Sequence, residues 1–214
     1  MITSKPLHTP NEVKVWDPLV RVFHWSLVAT FIVAWLTADE ESRLHELAGY
    51  AVIGLVLVRI VWGFIGTRYA RFTDFVHRPT TVLGYTREML SGKPKHYLGH
   101  NPLGGMMILA LMMSLLATGM TGLAMQQTEE GAGFFASISA TVPNLVTPAM
   151  ADDDEHERVS KRKKENDEIW EELHEFFANV TLLLVTLHIA GVIIGSLVHR
   201  ENLVRAMLTG RKPA

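Results

Sequence analysis

The stretch from Leu173 to Val198 reads LHEFFANVTLLLVTLHIAGVIIGSLV. Between its two histidines it is almost wholly apolar, and it is long enough to cross the roughly 30 Å hydrocarbon core of a bilayer as a helix. In hydrocarbon every backbone N–H and C=O must be paired within the segment, so helix is the only local fold open to it. His174 and His188 are 14 residues apart. That is close to four turns, so both imidazoles project from nearly one face, about 21 Å apart along the axis. An imidazole inside a membrane is costly without a partner and reads as a functional group. Two on one face, one toward each side of the membrane, point to two cofactors stacked across the bilayer.

Three further apolar runs give the architecture. Helices are expected at about 19–37 (LVRVFHWSLVATFIVAWLT), 45–66 (HELAGYAVIGLVLVRIVWGFIG), 102–125 (PLGGMMILALMMSLLATGMTGLAM) and 171–198. Pro102 suits a first turn, and the Gly and Ala residues of the third run permit close helix approach. The expected fold is all-α: one integral-membrane four-helix bundle over 1–214. Residues 1–18 read as a polar tail ending in an amphipathic turn, VKVWDP. Residues 67–101 read as a basic loop in which TVLGYTREML forms a short surface helix. Residues 126–170 read as a long outer loop. Its first part, GAGFFASISATVPNLVTPA, is rich in Gly, Ala, Phe and Pro. Its second, DDDEHERVSKRKKENDEI, reads as a solvated, partly helical lead into the fourth span or, over 150–165, equally as a floppy linker. The tail RENLVRAMLTGRKPA reads as basic, with an interfacial turn.

Composition removes several chemistries. The chain has no Cys, which excludes disulfides, thiolate zinc sites, iron–sulfur clusters and covalently attached haem. Mean hydropathy is only +0.17, because apolar runs alternate with charged loops. With 20 Lys+Arg against 22 Asp+Glu, nothing points to a nucleic-acid partner. The first apolar run begins only near Leu19 with no small-residue cleavage site behind it, so the chain is expected to keep its first helix.

Four spans put both termini on one side. Fourteen of the 20 Lys and Arg fall on that side and 6 on the other. The positive-inside rule then places the termini and the 67–101 loop in the cytoplasm, with 38–44 and 126–170 facing outward. The expected location is the bacterial inner membrane, multi-pass, with the outer loops in the periplasm.

That topology sorts the histidines by depth. His24 and His188 fall at an inner level, His45 and His174 at an outer one. Zinc would want three or four ligands at one level. Two imidazoles per level match the axial needs of a six-coordinate haem b, so the expected iron ligands pair as His24/His188 and His45/His174. Arg21 and Arg59 lie at the inner level, where a guanidinium suits a haem propionate; Arg59 snorkelling to the surface is the alternative. His96 and His100 read as structural or quinone-site groups. His8, His77, His156 and His199 read as solvent or interface groups, and the methionines of the third helix as packing.

Several motifs, RVFHW at 21–25, His45, RIVWGFIGTRYARF at 59–72, YLGHNPLGG at 97–105, the spaced His174 and His188, and HRENLVRAMLTGRK at 199–212, together resemble the bacterial cytochrome b561 family. This four-helix, di-haem membrane group also includes nickel–iron hydrogenase b-type cytochromes. The resemblance covers nearly the whole chain. It implies two b haems with ligands from helices one, two and four, which falls on His24, His45, His174 and His188. The charged insertion at about 150–168 departs from the pattern.

The expected function is a transmembrane electron carrier. It would exchange electrons between the membrane quinone pool, ubiquinone or menaquinone, and a periplasmic redox protein, with any enzymatic quinone chemistry left open. Residues 38–46 carry net −3 and 126–170 carry net −5. Such a face steers a basic partner such as a c-type cytochrome and opposes an anion such as superoxide. Superoxide:quinone oxidoreductase is the alternative activity, and a haem-bearing anchor subunit of a hydrogenase-like complex is another. A haem-free proton or metal transporter would use intramembrane carboxylates, and residues 19–38, 47–66 and 102–125 contain none.

Overall fold

A computed structural model describes residues 12–38, 42–130 and 153–213, with side chains left undescribed at 127–130 and over most of 153–166. Four helices are long and apolar enough to span a membrane: Pro18–Leu36, Arg43–Ile65, Pro102–Gln126 and Asp167–His199. We call the helices containing them α1 (Pro18–Leu36), α2 (Arg43–Ile65), α5 (Pro102–Glu130) and α6 (Asp153–His199). Between α2 and α5 lie two short helices, α3 (Phe72–Phe75) and α4 (Pro79–Leu90). After α6 comes α7 (Leu203–Thr209). Only 6% to 28% of each span is buried inside the chain. The apolar residues that remain, Val22, Ile32, Val61, Phe64, Leu183 and Ile193 among them, form a surface suited to lipid and costly in water.

The helix starts follow from their caps. Asp17 accepts from Val20 N–H at 3.0 Å ahead of Pro18. Ser42 accepts from His45 N–H at 3.3 Å, and Asn101 from Gly104 N–H at 2.7 Å. Each satisfies an N–H that the first turn would otherwise orphan. The α6 helix stops at His199, where Arg200 turns left-handed with φ 52°.

Close packing runs from α1 to α2, from α2 to α5 and, most extensively, from α5 to α6. Among the described residues α6 packs far less against α1 or α2 than against α5. A core of Val52, Val56, Met112 and Leu115 joins α2 to α5. Small residues allow these approaches: a Cβ on Gly119 would lie 2.5 Å from Ile53 Cγ1.

Three segments differ from the sequence reading. The VKVWDP turn contains a strand, β1 (Glu12–Lys14), that pairs antiparallel with β2 (Arg211–Pro213). Strand residues at opposite chain ends gave no local signal for this pairing, which joins the termini on one side of the bundle. The expected loop at 126–170 is shorter: α5 continues to Glu130, and α6 begins at Asp153 rather than near 171. Most of its charged residues are tolerated in helix, and the apolar span prolongs the helix from its other end. The basic 67–101 segment contains α3 and a 3-10 turn at Arg68–Ala70 besides the expected surface helix, which is α4. The interfacial turn of the C-terminal tail is α7, closed by Gly210 at φ 81°. The Gly/Ala/Phe/Pro segment falls outside the described residues.

Candidate functional site: two facing imidazole pairs

Helix α1 carries His24, α2 carries His45 in its first turn, and α6 supplies His174 and His188. The rings of His24 and His188 face each other with centroids 6.5 Å apart and planes at 52°. The rings of His45 and His174 face each other at 6.2 Å and 81°. Seven residues, about 10 Å of rise, separate Thr181 from each histidine of α6.

The outer pair is fixed from behind. His45 Nδ1 donates to the Ala34 carbonyl at 2.9 Å. His174 Nδ1 donates to the Thr118 carbonyl at 2.9 Å, with the Thr121 hydroxyl at 3.2 Å. A carbonyl on Nδ1 sets the tautomer and leaves Nε2 as the bare nitrogen, the usual arrangement behind a metal-ligating imidazole. Below His174 a hydroxyl ladder joins α5 to α6: Ser114 to Thr181 at 2.6 Å and Thr118 to Thr181 at 3.1 Å. Sequence reading missed these threonines, although hydroxyls in the run SLLATGMTG of an otherwise apolar span were a visible signal.

The inner pair is surrounded differently. His24 Nδ1 is buried without a partner. Arg59 is only 3% exposed, so it is buried and does not reach the surface. Its Nη2 donates to the Ala70 carbonyl at 3.0 Å, and its guanidinium lies over the rings of Phe72 and Phe75. Arg21 Nη1 donates to the Thr209 carbonyl at 2.8 Å. His100 packs against Trp16, tilted at 46° with centroids 4.4 Å apart, and edge-on against Phe75 at 5.1 Å. Burial pushes its pKa down to about 3, helped by the charges of Arg59 and Lys212, so His100 is neutral at ordinary pH.

Behind this end lies a polar clamp. Glu201 accepts from His96 Nε2 at 2.5 Å and from the buried Lys212 Nζ at 3.3 Å. Burial alone would raise the Glu201 pKa, but the His96 hydrogen bond and the Lys212 charge outweigh it and hold it low. His199 lies 3.4 Å from the Tyr85 hydroxyl, and His77 packs against Tyr97. His8 and the side chain of His156 fall outside the described residues.

Four apolar spans carrying two facing imidazole pairs define an integral-membrane helical bundle with paired histidines. The chain belongs to the prokaryotic cytochrome b561 family, whose model matches residues 15–210. It is 28% identical over 156 residues to a probable Ni/Fe-hydrogenase B-type cytochrome subunit of Rhizobium leguminosarum bv. viciae, covering 58% of this chain and 62% of that one. A protein of the same description from Azotobacter chroococcum mcd 1 is 27% identical over 154 residues, 59% of this chain and 64% of that one. One from Bradyrhizobium diazoefficiens is 30% identical over 118 residues, 42% and 48%. The match thus spans under two thirds of the length of these relatives. No solved structure matches the chain.

The family implies b-type haem. The residues present fit that group. Metal–imidazole bonds of about 2.0 Å place the ring centroids of two opposed ligands about 6.3 Å apart, and the two pairs measure 6.5 and 6.2 Å.

Proposed function

We propose that the chain is a transmembrane electron carrier with two haem b sites. His24 and His188 would hold the haem at the inner level, and His45 and His174 that at the outer level. The ring separations carry this reading: two independent pairs, each at the span that two metal–imidazole bonds require. Bound there, haem b supplies one-electron iron chemistry. The chain's own residues hold the imidazoles in place, keep water out and supply cations: Arg21 and Arg59 face the inner level as partners for propionate.

The electrons are exchanged between membrane quinone, ubiquinone or menaquinone, at the inner level and a periplasmic redox protein at the outer one. The net acidity of 38–46 and 126–170 favours a basic partner such as a c-type cytochrome and speaks against superoxide as substrate. The names of the relatives favour a second reading, in which the chain serves as the membrane subunit of a hydrogenase-like complex. The two differ in whether the outer partner is transient or permanent. The same reading puts the protein in the inner membrane with both termini cytoplasmic.

Haem per chain on detergent-purified protein, by pyridine haemochrome, tests the proposal. Two haems are expected. His24→Ala and His188→Ala should each lose one, His45→Ala and His174→Ala the other. Protein expressed with ample haem that binds none would overturn it.

A further inference from the structure

The inner end of the bundle gathers N–H donors that have nothing to donate to. Six buried side-chain polar atoms among the described residues lack a hydrogen-bond partner. Four of them are Arg21 Nε, His24 Nδ1, Arg59 Nη1 and His100 Nδ1. His100 packs against Trp16 at 4.4 Å and Phe75 at 5.1 Å, and Arg59 lies over the same Phe75 at 5.6 Å. His24 and Arg59 are both near enough to act electrostatically on His100. Arg21 lies beside Gly210, whose carbonyl accepts from the Trp16 backbone N–H at 3.1 Å. The outer imidazoles have no such orphans, since carbonyls of α1 and α5 take both Nδ1–H groups.

A buried donor left unpaired costs about 1–3 kcal/mol, more for a charged group. Several in one place mark a site shaped for an acceptor from outside the chain. Two guanidiniums select an anion with paired oxygens, hence a carboxylate or phosphate. The third arm is a neutral imidazole, because burial and the nearby Arg59 and Lys212 hold its pKa near 3; it adds a donor without adding charge.

We propose that His100 donates its Nδ1–H to a carboxylate of the inner tetrapyrrole and closes, with Arg21 Nε and Arg59 Nη1, a three-armed cradle that keeps that carboxylate ionised. The proposal rests on the reading of His24 and His188 as the inner ligands. It assigns His100 to positioning the cofactor rather than to a quinone. The outer site has no equivalent cradle among the described residues, so the two cofactors are anchored by different means.

The test uses the purified full chain and three proteins: wild type, His100→Phe, which keeps an aromatic ring against Trp16 and Phe75 without a donor, and His100→Asn, which restores an N–H near Nδ1. Each haem is titrated potentiometrically at pH 6 and pH 8, and the inner one is identified by its loss in His24→Ala. In His100→Phe both haems should remain bound. The inner one should lose electron affinity about tenfold, a fall of about 59 mV for one electron. Its potential should also become pH-dependent, because the released carboxylate titrates nearer neutrality. His100→Asn should restore both properties, and the outer haem should not move. An unchanged inner potential in His100→Phe, or one in which only the KM for a soluble quinol analogue rises, would overturn the cradle. A His24→Ala protein that keeps both haems would instead overturn the underlying ligand assignment.

Discussion

His174 and Thr118 are joined within the membrane by a 2.9 Å hydrogen bond from the imidazole Nδ1 to the backbone carbonyl, and the Thr121 hydroxyl stands 3.2 Å from the same nitrogen. That carbonyl takes two side-chain donors, since Thr121 Oγ1 also donates to it at 2.9 Å. The bond therefore couples the electron density of one candidate ligand to the packing of α5 against α6.

Removing the Thr121 hydroxyl should change that ligand. In Thr121→Val the Nδ1–H keeps its carbonyl but loses the second acceptor, so the imidazole becomes a poorer donor. A hydrogen bond is worth about 0.5–1.5 kcal/mol, and about 59 mV equals a tenfold change for one electron. The potential of the outer haem should rise by about 20–60 mV with the inner one unmoved. Potentiometric titration of the variant checks this; equal shifts at both haems would point to general loosening.

The interplanar angles make a spectroscopic prediction. The outer rings stand at 81° and the inner rings at 52°. Nearly perpendicular axial imidazoles leave the iron d orbitals closer in energy. The oxidised protein should therefore give two low-spin EPR signals, the more anisotropic of which disappears in His45→Ala.

Gly122 is the narrow point behind His174. A Cβ there would lie 3.0 Å from His174 Cε1 and 3.2 Å from Nδ1. Gly122→Ala should push the ring by a few tenths of an ångström, at an overpacking cost of about 1–3 kcal/mol. Expected is weakened binding of the outer haem alone, read as haem per chain and as a broadened reduced band. Gly54, where a Cβ meets nothing within 4 Å, supplies the control: Gly54→Ala should leave both unchanged.

Asp17 ties the chain start to the end of α2. Besides capping α1, it accepts from Trp62 Nε1 at 3.1 Å and Thr67 Oγ1 at 2.5 Å. Burial alone would raise its pKa, but the bonds from Thr67, Val20, Trp62 and Leu19 outweigh that and lower it below 3.8. A carboxyl lowered on folding contributes stability above its unfolded pKa and loses it as pH falls through the folded value. Asp17→Ala should cost about 1–3 kcal/mol at pH 7. Thermal unfolding in detergent should show the deficit shrinking as pH drops below about 4. A deficit that holds constant from pH 7 to pH 3 would refute the linkage.

The spans and their number were legible because membrane insertion is a local, additive property: each apolar run must satisfy its backbone alone. The spacing of His174 and His188 was legible for the same reason, since one helix fixes the depth of both. Chain order alone then set the depths of His24 and His45. The pairing of Glu12–Lys14 with Arg211–Pro213 was not legible, because its residues are about 200 positions apart and too short to carry a strand pattern. Nor was the cap-like role of Thr118, whose acting atom is a backbone carbonyl that every residue possesses.

The sequence by itself determined a four-span helical membrane protein with two histidines on one face of its last span, since hydrophobic length and helical rise suffice for both. Only the tertiary structure decided which rings face each other and at what separation, and which donors each level leaves unpaired. Those depend on how α1, α2, α5 and α6 pack. Between helices in lipid, packing is set by side-chain shape and a few hydrogen bonds, and neither is written in the pattern of apolar residues.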